Sequence, residues 1–146
     1  MGSKFQIRDF CQGDYDSLVD LWKVTGMGGE ERGDDKDVIQ ATIEAGGRLF
    51  VMHEEGVKLI GSSWLSHDQR RMYIHHFAIH PDFQGRGLSK ILLDKCLDYC
   101  RLVGLQVKLE VHKDNHRALN LYKSYGFSDL DGYDVLIARD IAKKKP

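Results

Sequence analysis

Two glycine-punctuated segments of this sequence carry residue types that can do chemistry. The first is Phe77-Ala78-Ile79-His80-Pro81-Asp82-Phe83-Gln84-Gly85-Arg86-Gly87-Leu88-Ser89-Lys90. An apolar strand runs into a Gly-rich turn, and the turn opens a helix. Backbone N–H groups at a helix start point outward, and the helix dipole favours negative charge there. Gly85 and Gly87 let the backbone approach a phosphate with no side chain in the way. Arg86 and Lys90 add positive charge beside it. Neither familiar phosphate motif fits: the Walker run is absent, and Lys90 stands where a dinucleotide fingerprint needs its third glycine. The second segment is Asn115-His116-Arg117-Ala118-Leu119-Asn120-Leu121-Tyr122-Lys123-Ser124-Tyr125-Gly126-Phe127, a polar helix closed by glycine.

The elements that must position these segments follow from periodicity. Residues 4–9 read as a strand. A helix fits 14–24, with Tyr15, Leu18, Leu21 and Trp22 on one stripe and Asp14 or a neighbour as cap. Residues 25–35 form a long loop. A second helix fits 36–45 with Val38, Ile39, Thr42 and Ile43 facing in, and Gly46-Gly47 ends it. Strands at 48–53 and 57–65 join through Glu54-Glu55-Gly56, and a third follows at 71–79, making an antiparallel meander. The helix after the Gly-rich turn spans 87–103, with Leu88, Ile91, Leu92, Cys96, Tyr99 and Val103 on one face. Strand 105–112 alternates Val107, Leu109 and Val111 against Gln106, Lys108, Glu110 and His112. Helix 115–125 and a last strand at 132–139 complete the order β-α-α-β-β-β-α-β-α-β. This is a mixed α/β fold, mainly antiparallel, with about four helices.

Composition bounds the function classes. The chain has 146 residues, of which 42% are hydrophobic and 29% charged, which excludes a disordered tail, a collagen-like fibre and a coiled coil. With no repeat and no linker, one domain over residues 1–146 is the economical reading. Lys plus Arg total 21 against 22 for Asp plus Glu, so charge gives no support for a nucleic-acid or membrane-surface partner. No apolar run has the length of a membrane helix, and residues 1–8 lack a signal-peptide pattern. Three cysteines without a framework spacing (Cys11, Cys96, Cys100) read as reduced thiols of a cytoplasmic protein.

The two segments together resemble the GNAT superfamily of acyl-CoA-dependent N-acyltransferases. The first is similar to its Q/R-x-x-G-x-G/A motif at Gln84, Gly87 and Ser89, with Ser89 replacing the usual Gly or Ala. The second is similar to its N-x-x-A-x-x-L-Y-x-x-x-G-F motif at Asn115, Ala118, Leu121, Tyr122, Gly126 and Phe127. Order and separation fit the family, and motif-bearing similarity covers residues 71–128.

The resemblance implies acetyl-CoA as cosubstrate, no metal, and a GNAT fold. It puts the pyrophosphate on Gln84, Gly85, Arg86, Gly87, Leu88 and Ser89, with Lys90 close by. The pantetheine arm would pair with Phe77, Ala78 and Ile79, as an added strand does. A backbone N–H there would polarise the thioester carbonyl. Tyr122 matches the family's general acid, which protonates the leaving thiolate. Asn115 caps the helix of Tyr122 and also reaches the pantetheine. A base must take the acceptor's proton, because free amines are mostly charged at neutral pH. Glu110 is the first candidate, from its similarity to the glutamate of the branch that acetylates ribosomal-protein N-termini. His75 and His76 are rivals. In a regular strand they point to opposite faces, so at most one faces the chemistry. The loop from Glu30 to Asp37 has a net charge of −3 and suits a cationic acceptor. The expected acceptor is a primary amine: a protein N-terminus, a lysine or a small molecule. Family members are often dimers, but no feature of the sequence marks an interface for a homodimer. The competing reading is a non-catalytic acyl-CoA-binding module.

Overall fold

The structure is a computed structural model that describes residues 4–28, 33–55 and 58–141. Glu30, Glu31 and Arg32 of the acidic loop, Gly56 of the hairpin turn and the Lys143–Pro146 tail lie outside the described residues. The chain forms two compact units, Met1–Glu110 and Val111–Pro146.

The first unit is built on one sheet with the strands side by side in chain order. They are β1 (Phe5–Asp9), β2 (Arg48–Glu54), β3 (Leu59–His67), β4 (Arg71–Ile79) and β5 (Gln106–Leu109). The first three pairings are antiparallel and β4 with β5 is parallel. Helices α1 (Tyr15–Thr25) and α2 (Lys36–Glu44) connect β1 to β2, and α3 (Leu88–Val103) crosses from β4 to β5. Strand alternation divides the core into two layers. Leu49 and Val51 pack with Leu18, Leu21, Trp22 and Ile39 of α1 and α2. Phe50, between them in β2, turns the other way, and its ring meets Tyr99 of α3 edge-on at 6.4 Å. Each such buried side chain contributes roughly 1.5–3 kcal/mol. Asp35 starts α2 by accepting from the Val38 N–H at 2.9 Å, a side-chain cap.

The second unit holds α4 (His116–Ser124) and the segment after it. The mixed, mainly antiparallel sheet with four helices among the described residues is the expected fold, and no helix there is long and apolar enough to cross a membrane.

Several local expectations need correction. Residues 132–139 form no strand, and Tyr133, Val135, Leu136 and Ile137 are exposed. A strand needs a neighbour for its N–H and C=O groups, and the described residues of this unit contain no second strand. The strand expected at 105–112 stops at Leu109, because its ladder ends at Ile74, two residues before β4 bulges. On α3 the buried stripe is Leu88, Leu92, Leu93, Cys96, Leu97 and Cys100, while Ile91 and Val103 are exposed. The helix is therefore rotated relative to the expected face. Val38 is likewise exposed and Ile39 alone of α2 is fully buried. Asp14 stands at the start of α1 but its carboxylate turns back, accepting from Arg8 at 2.7 and 2.8 Å and from the Cys11 N–H at 2.9 Å. That bidentate guanidinium holds its pKa well below the usual carboxylate range.

Candidate active site

β4 leads directly into the Gly-rich turn. After Ile79 comes a single tight turn, Pro81–Phe83, in which His80 Nδ1 accepts from the Asp82 N–H at 3.1 Å. The Gln84 side chain then reaches back and donates to the Ile79 carbonyl at 3.0 Å, tying the turn to the strand it follows. Gly85 and Gly87 have φ of 79° and 76°, the left-handed region that other residues enter only with strain. A Cβ on either would meet nothing within 4 Å, so the backbone faces open space. The first N–H groups of α3 have no intrahelical partner, and its first turn has no acidic residue. Leu88 is only 3% exposed, so its side chain anchors the start of the helix. The Arg86 guanidinium lies over the Phe83 ring at 5.0 Å and donates to the Asp82 carbonyl at 3.4 Å. This donor-rich, open cradle fits a pyrophosphate.

The strand before the turn offers backbone in the same way. Ala78 and Ile79 are buried, and the ladder to β3 pairs them with Ser62 and Gly61. On the opposite edge the β5 ladder stops at Ile74. Residues Phe77–Ile79 therefore present one edge that β5 does not cover. An extended arm with amide groups fits such an edge.

Between Ile74 and Phe77 the strand bulges. Trp64 pairs with His75 and Ser62 with Ala78, so His76 and Phe77 together face Ser63. His76 absorbs the extra residue with φ of 46°. Two hydrogen bonds hold that geometry: Trp22 Nε1 donates to Ser62 Oγ at 3.0 Å, and Ser62 Oγ donates to the His76 carbonyl at 2.9 Å. The bulge abolishes the expected alternation. His75 and His76 rings both pack on Trp64, at 6.2 and 5.4 Å between centroids, so the two histidines do not point to opposite faces.

Their surroundings differ. His75 stacks on Tyr73 at 4.3 Å and its Nε2 is 2.8 Å from Ser66 Oγ. Burial, reinforced by neighbouring His76, pushes its pKa down to about 4, so it is a neutral ring at working pH. His76 lies 4.5 Å from the Trp22 ring, and its Nε2 is 2.8 Å from Asp34 Oδ2. Glu110 sits just beyond β5, exposed, close enough for its carboxylate to act on the Tyr73 phenol. Burial and that carboxylate together keep the Tyr73 phenol protonated.

In the second unit Asn115 caps α4, its Oδ1 accepting from the Ala118 N–H at 3.2 Å, as expected. Tyr122 is 6% exposed, with its ring 5.8 Å from that of Phe127. Thus Glu110, His75 and His76 are gathered along β4 and β5 of the first unit, and Asn115 and Tyr122 belong to the second. Sequence reasoning missed Trp22, Ser62, Trp64 and Tyr73 as parts of this region, and counted Asp34 only as one charge of an acidic loop. The His75-His76 doublet is the one local signal; nothing in the sequence marks the bulge itself.

Known proteins match this architecture. A 24%-identical acetyltransferase of Pectobacterium atrosepticum aligns over 127 residues, 86% of this chain and 89% of its own. The ribosomal-protein-S18-alanine N-acetyltransferase of Escherichia coli superposes with a TM-score of 0.72 at 20% identity, covering 85% of this chain and 77% of that one. A GNAT family acetyltransferase of Elizabethkingia anophelis, solved with acetyl-CoA bound, superposes with a TM-score of 0.63 at 20% identity, covering 87% and 78%. Residues 15–127 match the acetyltransferase (GNAT) family model, and the chain belongs to that family.

Proposed function

We propose that this protein transfers the acetyl group of acetyl-CoA to a primary amine by direct attack within a ternary complex. The observation that carries the reading is the Gly85–Gly87 turn, open and left-handed, at the end of a strand that β5 pairs with only as far as Ile74. Both units are read as parts of one transferase domain. Acetyl-CoA supplies the acyl group as an activated thioester. The amides from Gln84 to Ser89, with Arg86 and Lys90 beside them, hold its pyrophosphate. The backbone of Phe77, Ala78 and Ile79 aligns the pantetheine arm, and Asn115 adds a side-chain contact. A β4 N–H stabilises the charge that develops on the carbonyl oxygen. The new C–N bond forms as the C–S bond breaks, and Tyr122 gives its proton to the departing sulfur. The base is one of Glu110, His75 and His76. The acceptor is a protein N-terminus, a lysine or a small amine, which an acidic loop would attract. Cys96 and Cys100 are free and buried, which supports a reducing compartment, and we place the protein in the cytoplasm, alone or as a homodimer.

The test is CoA release read as free thiol, with acetyl-CoA and a panel of small amines, lysine peptides and N-terminal peptides. Acetyl-CoA binding is followed by thermal shift in parallel. Thiol release that depends on one amine class is the expected result and names the acceptor. A thermal shift without turnover favours a binding module instead. If acetyl-CoA gives neither a thermal shift nor turnover, the assignment of the turn is overturned.

A further inference from the structure

We infer that His76, oriented by Asp34, is the base that deprotonates the acceptor amine; this rests on the acetyl-transfer reading above. Three independent features converge on the pair. His76 sits on the β4 bulge, the residue before Phe77, where the strand edge is released from β5. Its Nε2 is 2.8 Å from Asp34 Oδ2, and the two side chains are only 17% and 13% exposed. Its Nδ1 has no hydrogen-bond partner among the described residues. A carboxylate on one ring nitrogen fixes the tautomer and leaves the other nitrogen as acceptor. The same carboxylate stabilises the imidazolium that forms when that nitrogen takes a proton.

Two indoles and the backbone at Gly28 hold this ring in place. Trp22 of α1 and Trp64 of β3 pack against it, at 4.5 and 5.4 Å between centroids. The Gly28 backbone covers the pair: a Cβ there would collide with the Asp34 carboxylate and stand 2.5 Å from His76 Nε2. The charged or titratable groups facing His76 are Asp34 from the α1–α2 loop and His75 on its own strand. Glu110 acts on His75 from the end of β5. His75 cannot share the role, because its ring is already spent on Ser66 and Tyr73 and resists protonation. Glu110 is exposed, so water competes for it. His76 is therefore the ring on β4 with an oriented carboxylate and a bare nitrogen.

The protons balance. The acceptor ammonium loses two. The first goes to His76 Nδ1 and passes to water, which frees the lone pair for attack. As the C–N bond forms and the C–S bond breaks, Tyr122 protonates the sulfur and is itself reprotonated by the second.

The test uses His76→Gly, because glycine tolerates φ of 46° and leaves a ring-sized space beside the two indoles. Turnover should fall by about 100-fold or more while the acetyl-CoA thermal shift persists. Added imidazole should restore part of it. Turnover within about threefold of the parent overturns the inference. So does a large loss that imidazole leaves untouched while acetyl-CoA still binds. A second measurement covers a variant that fails to fold: the ¹⁵N shifts of the His76 ring in the parent protein. A proton on Nε2 and a bare Nδ1 are expected; the opposite tautomer overturns the inference. The same spectrum still decides the geometry if the parent releases no thiol with any amine, an outcome that instead overturns the acetyl-transfer reading.

Discussion

The Gly-rich turn and the β4 bulge lie a few residues apart, yet they are built in opposite ways. The turn is exposed backbone: Gly85 and Gly87 at positive φ, with no heavy atom within 4 Å of where their side chains would be. The bulge is buried side chain: His76 also at positive φ, but locked by Trp22, Ser62, Trp64 and Asp34. A backbone site recognises through N–H groups that any sequence supplies, so it needs only small residues and a helix start. A side-chain site needs particular partners delivered from distant elements. The first should be insensitive to most neighbours and destroyed by one wrong atom. The second should respond in stability as well as in rate.

The largest effect should come from Gly87→Glu. A carboxylate against the pyrophosphate should weaken acetyl-CoA binding by at least about 100-fold, since like charges in contact cost several kcal/mol. Unfolding stability should fall by only about 1–2 kcal/mol, the cost of a left-handed residue, because the space around it is open. Calorimetric titration and urea unfolding on one preparation separate the two. Retained binding would mean that the turn is not the phosphate site.

Ser62→Ala should invert that pattern. Ser62 is fully buried and links Trp22 Nε1 to the His76 carbonyl. Removing the hydroxyl leaves a buried donor and a buried acceptor unpaired, at a cost of about 2–3 kcal/mol. Urea unfolding should show that loss while acetyl-CoA affinity stays close to the parent's. An unchanged midpoint would mean that the bulge holds without this link.

The same contrast explains what was legible in the sequence. Gln84 to Lys90 and Asn115 to Phe127 were readable because glycines, caps and helix starts act through neighbours in the chain. The meander from Arg48 to Ile79 was readable because alternation and turns are also local. The bulge was not, because it arises from a register slip between β3 and β4 and is stabilised by α1, forty residues away in sequence from Ser62. Asp34 was grouped with its loop's charge, since nothing nearby announces a partner on β4. The run Tyr133 to Ile137 has strand-like residues, but its neighbour in a ladder cannot be read from its own composition.

His75 provides a pH test of how deeply the bulge region is buried. In the unfolded chain the imidazole titrates near 6.5, and in the fold its pKa is pushed down to about 4, chiefly by burial. Protons therefore bind the unfolded chain first. Stability is fully present above about pH 6.5 and is lost as pH falls toward 4, by about 3 kcal/mol. The carboxylate of Asp14, also held low, contributes in the window below about pH 4, so the two separate. His75→Gln should flatten the upper window alone. A parent whose stability is flat between pH 6.5 and 4.5 would place His75 in contact with water.

The smallest effect should belong to the turn's own charged side chain. Arg86 is exposed, stacks over Phe83 at 5.0 Å and donates to the Asp82 carbonyl at 3.4 Å. If backbone amides do the holding, the guanidinium adds only a screened surface attraction, worth about 0.5 kcal/mol. Arg86→Ala should then raise the Kd for acetyl-CoA by about 2–3-fold at low salt. The difference should vanish near 0.5 M salt, where the screening length drops to roughly 4 Å. Saturating turnover should be unchanged, since the side chain does not reach the reacting atoms. A loss of tenfold or more that survives high salt, against about 2–3-fold expected, would show that Arg86 swings from Phe83 onto the phosphate. The turn would then be a side-chain site as well, and the contrast with the bulge would be one of degree.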